Sequence, residues 1–132
     1  MDTSMQTSSR TLTSGEAAAA AGLSYRQLDY LVRTEIIAPS QHVVLPEGGP
    51  GTRQWAPSQL RMLRLIGVLR DHGAGYDTLR PAMKAAEALS EQAWSARVLI
   101  TVDGRITSLL GDEPHGYVVD LAALRHEVPT AA

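Results

Sequence analysis

The sequence predicts a mainly α fold: four helices with a two-stranded ribbon between the second and third, then a small C-terminal α/β appendage of hairpin, third strand and helix. Three observations carry that expectation. From Thr11 to Pro39, an alanine-rich helical stretch and an amphipathic one are separated only by Gly22-Leu-Ser24. From His42 to Trp55, two short extended runs flank the turn sequence Pro46-Glu-Gly-Gly-Pro-Gly51. Beyond Arg97 the apolar spacing changes from that of helices to that of strands.

Residues 1–10 are rich in Ser, Thr and Gln without apolar periodicity, and read as a disordered arm. Ser14 can cap the first helix, and Glu16 complements the positive end of its dipole. Ala17 to Ala21 favour helix and keep its surface slim enough for a close neighbour. Gly22 then ends it, Leu23 plugs the corner, and Ser24 caps the second helix. On a 3.6-residue wheel Tyr25, Leu28, Leu31 and Val32 share the stripe expected to face the core. Arg26, Asp29, Tyr30, Arg33 and Thr34 fall opposite. This is helix-turn-helix spacing, whose second helix can enter a DNA major groove, although ordinary helix packing shows the same spacing. The context that follows decides between them.

Ile36 and Ile37 make an apolar step before Pro39 stops any helix. His42 to Leu45 reads as one strand and Thr52 to Trp55 as its return, so the ribbon has the form of a wing beside the helix pair, a winged helix-turn-helix. Arg53 on the returning strand is placed to meet a phosphate, for which a guanidinium is geometrically suited. No Gly-Lys-Ser/Thr follows the glycines, which excludes a P-loop. Pro57 opens a third helix to about His72, whose apolar residues wrap most of its circumference as in a central strut. Gly73 and Gly75 break it. A fourth helix runs from about Tyr76 to Ser90, with Leu79, Ala82, Met83 and Ala86 on one stripe and Pro81 near its first turn. Glu91 to Ala96 reads as a linker or extension, with Trp94 as an interdomain packing residue. Next, Val98, Ile100 and Val102 alternate, Asp103-Gly104 signals a two-residue hairpin, and Ile106, Ser108 and Leu110 alternate again. Tyr117-Val-Val adds a strand, and Asp120 caps a last helix with Leu121, Leu124 and Val128 on one face.

At 132 residues without Phe or Cys, the core must come from Leu, Val, Ile, Ala and two tryptophans. Without cysteine there is neither a disulfide nor a thiolate metal site. No stretch resembles a signal peptide or membrane span, so a cytoplasmic, nucleoid-associated protein is expected, with no membrane partner. The net charge of −2 is unevenly spread: from Arg10 to Lys84 there are nine basic residues against six acidic, and beyond Lys84 three against seven. A mildly positive N-terminal part with an acidic appendage suits a DNA-binding module, and so small a positive excess favours a homodimer or cooperative array. Catalysis and cofactors find no support. The four histidines lack the spacing that presents two imidazoles to one metal, Asp112-Glu113 reads as a solvated turn, and Gly-x-Ser-x-Gly is absent.

Thr13-Ser-Gly-Glu-Ala-Ala, Gly22-Leu-Ser, Ile36-Ile-Ala-Pro39, Arg53-Gln-Trp55, Gln59-Leu60 and His72-Gly-Ala-Gly-Tyr-Asp-Thr-Leu79 follow one another as in the MerR superfamily DNA-binding domain. The resemblance covers roughly Thr11 to Leu89, and Ser24-Tyr-Arg-Gln-Leu-Asp-Tyr30 resembles its actinobacterial branch. It implies a double-stranded-DNA-binding transcriptional regulator, with Arg26 and Tyr30 at the major groove and Arg53 and Trp55 in the wing. The full candidate set is Ser14, Ser24, Tyr25, Arg26, Gln27, Tyr30, Arg33, Arg53, Trp55 and Arg61, with Arg10, Arg53 and Arg61 on phosphates. The expected domains are 11–92 for DNA binding and 97–132 for dimerisation or regulation. The chain departs from the family where Asp29 replaces a common Arg and Trp55 a common Tyr. It also lacks the sensor cysteines and the long coiled-coil helix, which argues against a metal-responsive, promoter-twisting activator. An excisionase-like architectural protein and a DNA-independent adaptor are the alternatives. Operator and effector are not readable.

Overall fold

The structure, a computed structural model, describes residues 11–43, 52–107 and 116–125. Residues 1–10, 44–51, 108–115 and 126–132 lie outside them, and with them the expected N-terminal arm with Arg10, the expected ribbon tip, Asp112-Glu113, His115 and Val128. The chain is mainly helical with two small sheets, and it falls into two compact units that divide after Leu60.

The first unit opens with a two-residue strand, β1 (Leu12–Thr13), and helix α1 (Ser14–Ala21). The cap of α1 is Thr13 rather than Ser14. Thr13 Oγ1 accepts from the Glu16 N–H at 3.1 Å, and Glu16 Oε1 accepts from the Thr13 N–H at 2.9 Å, a reciprocal capping box that satisfies two otherwise unpaired donors. Ala17, Ala18 and Ala21 are buried, so the alanine run forms the inward face of a thin helix. Gly22 ends it in the left-handed conformation (φ 74°), and the Leu23 N–H reaches back to the Ala18 carbonyl at 2.9 Å. Helix α2 (Tyr25–Arg33) follows at once, with Leu28 and Leu31 buried.

Strands β2 (Gln41–Val43) and β3 (Thr52–Trp55) pair antiparallel, as expected of a ribbon. The described part of β2 begins one residue earlier than the sequence reading. Strand β1, which carries no local strand signal, adds to the other edge of β3, pairing Leu12 with Trp55 and Thr13 with Gln54. A 3-10 turn (Pro57–Gln59) then leads to α3 (Leu60–Asp71). Gln59 secures this corner: its Nε2 donates to the Ala38 carbonyl at 2.8 Å, and its Oε1 accepts from the Ala56 N–H at 3.0 Å.

In the second unit Leu63, Leu65, Ile66 and Leu69 of α3 are buried, as its wide apolar surface requires. Helix α4 (Tyr76–Glu87) buries Leu79, Ala82, Met83 and Ala86, the predicted stripe, together with Thr78. Pro81 is its sixth residue, deeper in the helix than expected. The Glu91 to Ala96 segment forms a 3-10 turn (Ala93–Ser95). The sheet has the order β5-β4-β6, with β4 (Arg97–Thr101) between β5 (Ile106–Thr107) and β6 (Gly116–Asp120), both antiparallel to it.

Three details of the appendage depart from expectation. Strand β4 buries Val98, Leu99, Ile100 and Thr101 alike, so alternation does not describe it, and Val102 lies beyond the strand and is exposed. The hairpin loop has three residues, Val102-Asp103-Gly104, because Thr101 pairs with Arg105 through an N–H to carbonyl bond of 2.8 Å. Gly104 takes φ 85°, the left-handed position that such a loop requires. In addition, the last helix is a 3-10 turn (Leu121–Arg125) within the described residues. Asp120 does support its start, with Oδ1 accepting from the Ala122 N–H at 3.2 Å, and Leu121 and Leu124 are buried.

Candidate nucleic-acid interface

Helix α2 is short, so its ends decide where its side chains stand. Ser24 caps it as expected, through a second reciprocal box. Ser24 Oγ accepts from the Gln27 N–H at 3.0 Å, and Gln27 Oε1 accepts from the Ser24 N–H at 2.8 Å. Two residues assigned to DNA therefore serve first to start the helix. At the other end Glu35 adopts φ 63°, and the Ile36 N–H donates to the Leu31 carbonyl at 2.9 Å. The chain turns here as at Gly22, but with a side chain at the left-handed position.

Between these ends, Tyr25, Arg26, Asp29, Tyr30 and Arg33 share one contiguous face opposite Leu28 and Leu31. Tyr25 is 60% exposed and Tyr30 42%. The wheel had assigned Tyr25 to the core stripe. As the first helical residue it lies a turn before Leu28, beyond the stretch that the core covers. Arg26 is exposed, and Arg33 is exposed with its Nε 2.9 Å from Asp29 Oδ2.

Asp29 also receives the ribbon. Arg53 Nη1 donates to Asp29 Oδ1 at 2.8 Å, so each carboxylate oxygen holds a different arginine. The hydrogen bond from Arg53 is the largest influence holding the Asp29 carboxyl below its usual range; burial opposes it, and the positive charges of Arg33 and Arg53 add to the lowering. Two guanidiniums around one carboxylate leave the cluster a net single positive charge. The sequence missed this arrangement because an ion pair spanning 24 residues leaves no local pattern.

Other candidates serve the scaffold. Trp55, expected beside DNA, is fully buried, and its indole Nε1 donates to Ser14 Oγ at 3.0 Å. A large aromatic on β3 gains more from burial than from a wet surface, and Ser14 supplies its polar partner. Arg61, expected on a phosphate, lies in the second unit. Its Nη1 and Nη2 meet Glu91 at 2.8 and 2.7 Å, and its guanidinium stacks 4.4 Å from the Trp94 ring centroid. Trp94 is correspondingly buried.

The family model of MerR helix-turn-helix regulatory proteins matches residues 12–86. The chain belongs to the MerR family. This MerR-family protein is thus a DNA-binding transcription regulator, and its match spans both α1–α2 and α3–α4. No curated protein and no solved structure matches it. Among the described residues no cluster of three His, Cys, Asp or Glu is placed to hold a metal ion, and no helix is long and apolar enough to cross a membrane.

Proposed function

We propose that this MerR-family protein recognises duplex DNA by laying α2 in the major groove, with the β2–β3 ribbon acting as a wing along the phosphate backbone. The supporting observation is the open face of α2, where Tyr25, Arg26, Tyr30 and Arg33 stand together on a helix fixed at both ends. Arg26 is the base reader, since its fork can take two acceptors of a guanine at once, and Tyr25 and Tyr30 border it. Arg33 and Arg53 serve the backbone. Residues 11–92 form the DNA-binding part, and 97–132 a dimerising or regulatory part that lets two weak modules bind as a homodimer or array.

The test is electrophoretic binding of the parent, Arg26→Ala and Tyr30→Ala to fragments of the protein's own genome at several salt concentrations. Arg26→Ala should relax preference at particular bases, at a cost of about 1–3 kcal/mol for a lost bidentate contact. Variants that bind every fragment as the parent does would refute the α2 assignment.

A further inference from the structure

A carboxylate on a face meant for a polyanion is unfavourable, because it repels the phosphates that its neighbours attract. Asp29 nevertheless occupies the middle of that face, one helical turn from Tyr25 and one from Arg33. Its two oxygens are divided between Arg33, whose side chain is 68% exposed, and Arg53, which is only 18% exposed. The Arg53 side of the junction is therefore partly withdrawn from water, where a pair of charges is screened less. Arg53 lies on β3, the central strand of its sheet, so holding it also holds β1 and β2 through their ladders. Each guanidinium directs one N–H at Asp29 and has five in its fork, so the junction does not exhaust either of them as a phosphate donor.

We infer that Asp29 is a positioning residue for DNA binding: it locks the ribbon to α2 and aims Arg33 and Arg53 as a pair, strengthening binding despite its own negative charge. This rests on the reading of α2 and the ribbon as the DNA-contacting elements. Electrostatics alone gives the opposite sign. Removing a negative charge from the face should tighten binding at low salt, with the gain fading as salt rises.

The experiment uses the full chain and a short duplex recovered by in vitro selection with the parent protein. Asp29→Asn, Arg53→Gln and the double variant are titrated at low and high salt, and thermal melting establishes that each is folded at the assay temperature. Asp29→Asn should bind about ten-fold more weakly than the parent at both salt concentrations, and the double variant no more weakly than the weaker single one. Asp29→Glu, which restores the charge on the same helix face, should recover part of the loss. If Asp29→Asn binds as tightly as the parent or more tightly, or if the two losses simply add, the inference is overturned while the proposed function stands. A parent that binds no duplex overturns the proposed function and this inference with it. Should Asp29→Asn not fold, Arg53→Gln opens the same junction from the other side, and parent-like binding by that variant overturns the inference equally.

Discussion

Asp29 on α2 and Arg53 on β3 are joined by a charged hydrogen bond of 2.8 Å, although 24 residues separate them in the chain. The pair ties the ribbon to the helix beside it, and it titrates. The Asp29 carboxyl is held below its ordinary value chiefly by the bond from Arg53. A group with a lowered folded value contributes stability that is complete above its unfolded value, about pH 4, and disappears as pH falls through the folded value. Melting temperatures taken from neutral pH to below this range should therefore fall more steeply for the parent than for Asp29→Asn. Parallel acid profiles would mean that the pair has no differential proton affinity in the folded state.

Glu35→Gly should stabilise the protein. The native residue holds φ 63°, where a side chain crowds the backbone and glycine is unstrained. Relief of that strain, less the extra freedom glycine gives the unfolded chain, should be worth about 0.5–1 kcal/mol. Chemical denaturation of both proteins at neutral pH measures it, and an unchanged midpoint would show that the turn after α2 tolerates a side chain without cost.

Gly104→Ala should do the reverse. Its φ of 85° disfavours any side chain, and a Cβ built there meets Pro81 Cγ at 2.5 Å and the Ala82 nitrogen at 2.9 Å. Backbone atoms of α4 cannot yield as a flexible side chain does, so the loss should be about 2–3 kcal/mol. A melting temperature within a degree of the parent's would contradict the close approach of this loop to α4.

Ser14→Ala tests the scaffold role of a residue that the sequence assigned to capping and to DNA. It removes the acceptor of the Trp55 indole N–H. Leaving that donor unpaired in a buried place should cost about 1–3 kcal/mol. The helix cap, held by Thr13, should survive, so the helical circular dichroism of the folded protein should be unchanged.

The helix pair was legible because helix starts and stops are local chemistry. Gly22 needs only its own backbone freedom, and Ser24 only the N–H three residues on. The buried stripe of α4 followed from spacing alone. Strand β1 was not legible, since two residues become a strand only by pairing with β3. The resemblance places Arg53 and Trp55 together in the wing at DNA, and their i, i+2 spacing does put both on one side of β3. On that side, however, Trp55 is buried and Arg53 meets Asp29. The candidate site was readable in composition but not in wiring. Tyr30 and Arg26 stand exposed as expected, whereas Ser24 and Gln27 complete a cap and Asp29 became the hub through partners that no window of sequence contains.

The two tryptophans have a practical consequence. Trp55 lies buried in the first unit with its indole bonded to Ser14, and Trp94 lies buried in the second beneath Arg61. Each compact unit thus contains one tryptophan in a distinct polar setting. Replacing either with Phe leaves a single tryptophan, and its emission, excited at the red edge where the four tyrosines do not absorb, lets the melting of one half be followed without attaching a dye.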